Sequence, residues 1–89
     1  MDMALLVDIL GYIGMVALLV AFGLISMNKV TANHASYQWM NLIGSVCLMI
    51  NTYYYGALPS ALLNLIWLFI ALVYLVKIYK RVTSSKDPQ

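Results

Sequence analysis

Between Val30 and Val76 the chain carries no Asp, Glu, Lys or Arg. That gap excludes an ordinary water-soluble domain, whose surface needs charge of both signs. Charged residues make up 9% of the 89-residue sequence against 64% hydrophobic, and the mean hydropathy is +0.89. A small chain has too much surface for its volume to hide that much apolar area from water. Histidine and cysteine are each present once, as His34 and Cys47. Neither can belong to a set of three or four convergent ligands, so no metal site is expected. Cys47 reads as a small packing residue. There is no Gly-rich phosphate loop, nucleophile elbow or pair of carboxylates, so the chain is read as no enzyme and as needing no cofactor. A basic n-region is also missing: Asp2 and Asp8 lead the first apolar run, and Ala21–Lys29 offers no small-residue cleavage site. The run is therefore read as a retained helix and not a signal peptide.

What fills the chain is three long apolar runs, Ile9–Met27, Leu42–Ala57 and Leu58–Ile78. A helix crosses the hydrocarbon layer with about 20 mostly apolar residues. The expected fold class is thus an all-α membrane protein, a three-transmembrane-helix bundle with helices over about 5–27, 36–55 and 59–81. Together they form one domain, 1–82, followed by a flexible cytoplasmic tail, 83–89. Ala35-Ser36 is expected to cap the second helix. Gly56 suits a left-handed C-cap and Pro59 the first turn that follows, so helices two and three should form a tight antiparallel hairpin.

Charge gives an orientation. Lys29 follows the first helix, and Lys77, Lys80, Arg81 and Lys86 end the third, whereas the segment around Gly56–Ser60 has no charge. Basic segments stay cytoplasmic, which puts the N-terminus outside and the C-terminus in the cytoplasm of a bacterial inner membrane. The net charge of +2 marks topology and contact with membrane lipid, not nucleic-acid binding. Tyr12, Tyr53, Tyr54 and Tyr55 belong to the outer interface, and Tyr37, Trp39, Tyr74 and Tyr79 to the inner one. Trp67 falls near mid-membrane, where its indole N–H needs a partner.

A polar stripe marks the candidate site. Asn41, Ser45, Asn51 and Thr52 in helix two, and Asn64 and Trp67 in helix three, recur at helical spacing. Asn51 precedes Gly56 by five residues and Asn64 follows Pro59 by five, so the hairpin should set them at one depth, sharing a hydrogen bond or a cavity. The residues read either as interhelical glue or as a pocket for a small polar solute. Gly11, Gly14, Ala17 and Ala21 of helix one, with Gly44 of helix two, are expected to carry helix packing. Asp8, at the outer start of helix one, stands where the helix dipole favours an anion. Three helices enclose little volume, so any passage would lie between copies, most simply in a homodimer.

The segment Tyr37-Gln38-Trp39-Met40-Asn41-Leu42-Ile43-Gly44-Ser45 is followed by Asn51, Tyr54, Gly56–Ala61, Asn64 and Trp67, and preceded by Gly11-Tyr12-Ile13-Gly14. Together they resemble a family of uncharacterised bacterial three-helix membrane proteins, over about three quarters of the chain. More remotely, Tyr55-Gly56, Leu58-Pro59 and Asn64 resemble the semi-SWEET sugar half-transporters. That second resemblance implies a parallel homodimer, an external N-terminus, a third helix packed between the first two, and a sugar-binding role for Asn64. The chain departs from the pattern in lacking a Pro-Gln pair in helix one, and Thr52 stands where a substrate-stacking tryptophan would be. The reading is a homo-oligomeric facilitator of a small polar solute; the alternative is a non-transporting structural or accessory membrane subunit.

Overall fold

The computed structural model describes residues 2–86, with side chains to Thr83. Three helices account for almost all of it: α1, Met3–Ser26; α2, Ala35–Tyr54; and α3, Leu58–Lys86. No strand forms among the described residues. At 1.5 Å per residue α3 is about 44 Å long, and the whole bundle measures 55 × 26 × 25 Å.

Local chemistry sets the ends. The Asp2 carboxylate accepts from the Ala4 N–H and caps α1. Asn28, at φ 60°, lets Lys29 N–H reach the Leu24 carbonyl at 2.9 Å and Asn28 N–H reach that of Ile25 at 3.1 Å. Gly56, at φ 74°, repeats the pattern after α2, with Ala57 N–H on Thr52 O at 2.8 Å and Gly56 N–H on Tyr53 O at 3.1 Å. Both helices thus end in Schellman motifs, each turned by one left-handed residue. Pro59 sits in the first turn of α3, where a missing N–H leaves no bond unmade.

Two details differ from the sequence expectations. The N-cap of α2 is His34, not Ala35-Ser36, and its side chain does not cap. Its Nδ1 instead accepts the Thr31 N–H at 2.7 Å, while Gln38 reaches back to the Ala32 carbonyl at 2.7 Å and ties the loop down. The third helix also runs on past residue 81 to Lys86. Nothing from Val82 to Lys86 breaks a helix, and the first residue able to do so is Pro88. The rest of the expected tail, residues 87–89, lies outside the described residues.

The middle of the layer is α2. It packs against both α1 and α3, and among the described residues no Cα of α1 comes within 8 Å of one in α3. This order corrects the arrangement implied by the semi-SWEET resemblance, in which the third helix would lie between the first two. Hydropathy agrees with the central place of α2. Helix α1 and the Leu58–Thr83 part of α3 are long and apolar enough to cross a membrane. At 20 residues α2 is long enough but fails on composition, because Ser36, Gln38, Asn41, Ser45, Asn51 and Thr52 dilute it. Of these, Gln38, Asn41 and Ser45 are buried, and Asn51 and Thr52 are half-buried. The flanking helices expose Phe22, Leu19, Leu62 and Phe69 over more than half of their surface, an apolar exterior suited to lipid contact.

Candidate functional site

The seam between α1 and α2 is built on glycine. A Cβ on Gly14 would sit 2.7 Å from the Gly44 carbonyl oxygen, and one on Gly44 would sit 3.1 Å from the Gly14 oxygen. The two backbones therefore touch, which only residues without side chains permit. One turn towards the start of α1, Gly11 leaves a notch for the Asn51 amide: a Cβ there would meet Asn51 Nδ2 at 2.5 Å. From that notch Asn51 Nδ2 donates to the Val7 carbonyl at 3.0 Å. Ala21 is fully buried on the same face of α1, and Ala17 is half-buried.

The seam between α2 and α3 is closed by indoles. Trp67 Nε1 donates to Asn41 Oδ1 at 3.3 Å, and Trp39 Nε1 donates to the Tyr79 hydroxyl at 3.1 Å. Between these bonds Ala71, Leu75 and Ile78 of α3 are buried. Ser45 is fully buried, and its Oγ has no hydrogen-bond partner. The Thr52 hydroxyl donates to the Leu48 carbonyl of its own helix at 2.7 Å.

Because α1 and α3 stay apart, one face of α2 floors an open groove. Its cavity nearest the start of α1, about 450 Å³, is walled by Asp8, Gly11, Tyr12, Met15, Leu48, Asn51 and Tyr55. A second cavity of about 360 Å³ shares Met15 and Leu48 and adds Leu18, Phe22, Leu63, Asn64 and Trp67. Its walls are almost wholly apolar, and the Asn64 side chain forms no hydrogen bond there. Asn51 and Asn64 therefore share neither a hydrogen bond nor a cavity, contrary to the sequence expectation. Residue count from the turn sets the depth of each amide, but Asn51 points round α2 towards α1.

The end of the bundle where α1 begins and α2 ends contains a link that sequence reading missed. The Tyr55 phenol, in the turn after α2, donates to Asp8 Oδ1 of α1. The hydrogen bond to Asp8, with lesser help from burial and from the carboxylate's charge, pushes the Tyr55 phenol up to about 12. The signal was available only in part: Asp8 and Tyr55 were both assigned to the outer end, but nothing in their spacing pairs them. Charge is segregated along the bundle, with Asp2 and Asp8 at this end and Lys29, Lys77, Lys80 and Arg81 at the other. No group of three or more His, Cys, Asp or Glu that could hold a metal occurs among the described residues.

A family model matches residues 7–82, a stretch that reaches into all three helices. No curated protein and no solved structure matches the chain, so the likeness to the semi-SWEET transporters has no support beyond the residues that suggested it.

Proposed function

We propose, for a chain that belongs to an uncharacterised family of small three-helix proteins, a homo-oligomeric membrane protein whose groove, closed by a second copy, passes a small polar solute. All three helices cross the membrane in this reading, α2 doing so because α1 and α3 cover its polar flanks. The N-terminus and the Gly56 turn face outward, and the basic ends of α1 and α3 face the cytoplasm of a bacterial inner membrane. The observation that carries the reading is Asn64. An amide with no hydrogen bond, set among apolar walls beside the half-exposed Trp67 ring, is a costly group in hydrocarbon until something pairs with it. A solute or a facing copy supplies that partner, and a two-fold arrangement would bring two such amides to one cavity.

A second reading is a structural or accessory subunit. It is favoured by the engagement of Asn41, Asn51 and Thr52 in bonds inside the protomer, where they act as glue. Tryptophan fluorescence of the protein in lipid nanodiscs separates the two. Against sugars, amino acids and small metabolites, the wild type should show a saturable change that Trp67→Phe loses, Trp39 alone then reporting the background. A folded oligomer silent across the whole panel would reject the facilitator in favour of the accessory subunit.

A further inference from the structure

The cavity nearest the start of α1 has a chemistry that the polar stripe does not describe. Two of its hydrogen-bond donors are already engaged: one N–H of Asn51 Nδ2 on the Val7 carbonyl, and the Tyr55 hydroxyl on Asp8 Oδ1. The acceptors left among its lining residues are Asp8 Oδ2, Asn51 Oδ1 and the lone pairs of the Tyr55 oxygen, beside the donor and acceptor hydroxyl of Tyr12 and the second Asn51 N–H. The cavity also carries one formal negative charge, from Asp8. Every basic side chain among the described residues lies at the far end of the bundle, on Lys29, Lys77, Lys80 and Arg81. Tyr12, 68% exposed, adds an open aromatic face beside the carboxylate.

A cavity rich in acceptors and π-faces, with net negative charge, repels carboxylates and phosphates. It suits a group that is all donor and positively charged. We propose that the Asp8–Tyr12–Asn51–Tyr55 cavity binds a small organic ammonium ion. The N–H groups would go to Asp8 Oδ2 and Asn51 Oδ1, with the alkyl part against Tyr12, Met15 and Leu48. At about 450 Å³ the cavity is within the usual range for small-ligand sites. The proposal rests on the groove reading in taking this face as open to ligand, and it narrows the solute class to cations.

The test uses saturation-transfer NMR on the full chain in nanodiscs of zwitterionic lipid, with empty nanodiscs as blank. Ethylammonium is the probe, 1-propanol the neutral control and propionate the anionic one. The wild type should prefer ethylammonium by at least about tenfold, the scale of one charge-assisted hydrogen bond. Asp8→Asn, which can still accept from Tyr55, should abolish that preference. Tyr12→Leu leaves the Asp8–Tyr55 bond in place and should weaken binding by about two- to fivefold. It decides the matter if Asp8→Asn fails to fold. Equal binding of ethylammonium and 1-propanol, or binding unchanged in the folded variants, overturns the proposal. Ethylammonium binding with no Trp67-dependent response anywhere on the solute panel supports the cation site and sinks the facilitator. A Trp67 response to neutral solutes without any ethylammonium preference sinks the cation site and leaves the groove reading standing.

Discussion

Substituting Gly14 by alanine should part α1 from α2, and Gly23 in the same helix supplies the control. The new Cβ at residue 14 would stand 2.7 Å from the Gly44 carbonyl oxygen, with Leu48 Cγ at 3.0 Å and Cys47 Cβ at 3.1 Å. Ordinary contact begins near 3.4 Å. The nearest obstacle is backbone, which no rotamer change removes, so the helix axes must separate by roughly 0.7 Å, the difference between these two distances. Overpacking of this kind costs about 1–3 kcal/mol. Alanine's better helix propensity returns about 1 kcal/mol, which leaves a net loss of about 0–2 kcal/mol. At Gly23 nothing lies within 4 Å of the added atom. Only the propensity gain applies there, so Gly23→Ala should be neutral or stabilising by up to about 1 kcal/mol. The assay is unfolding by SDS in mixed micelles, followed through tryptophan fluorescence, with all three proteins measured side by side. The Gly14→Ala midpoint should fall and the Gly23→Ala midpoint hold or rise. Equal midpoints for the two variants would refute a glycine-to-glycine crossing at this seam.

Two more outcomes follow from single side chains. Ser45→Ala removes a buried hydroxyl that has no partner, at a site where the smaller residue needs no new space, so it should raise the SDS midpoint, by about 1 kcal/mol; a fall would mean that the hydroxyl is paired. The Tyr55 phenol, raised from 10.0 to about 12, is neutral in the folded state over a pH range where the unfolded chain has lost the proton. Its contribution is therefore complete below pH 10 and disappears as pH climbs from 10 to about 12. Phenolate absorbance, compared with Tyr55→Phe to isolate this tyrosine among seven, should show late ionisation in the wild type. Asp8→Ala, which leaves the phenol no acceptor there, should move it back towards 10, and an unmoved titration would exclude the Asp8 bond as the cause.

The parts of the fold legible in the sequence are those governed by local rules. Gly56 at φ 74° and Pro59 in the next turn were readable because only certain residues fit such positions. The small residues of α1 were readable as one face because helical spacing stacks them. Asn28 was not, since asparagine adopts the left-handed region only sometimes and carries no mark when it does. The candidate site divided along the same line. Distance along the chain from Gly56 gives an amide its height in the bundle, but azimuth depends on which neighbour each face of α2 meets. That is how Asn51 came to bond Val7, across the seam from Asn64. The central position of α2 and the Asp8–Tyr55 link were hidden for the same reason, being facts about which helices are neighbours.

With α1 and α3 never within backbone reach of each other, α2 acts as the spine of a book and the outer helices as its covers. The width of the groove is then an angle, set independently at two hinges of different make. One hinge crosses on bare backbone at Gly14 and Gly44. The other is pinned at two heights by Trp67–Asn41 and Trp39–Tyr79. The α1 cover is fastened as well, by Asn51–Val7 and by Tyr55–Asp8 at the end that carries the Gly56 turn, so any swing of α1 away from the spine would have to break both bonds.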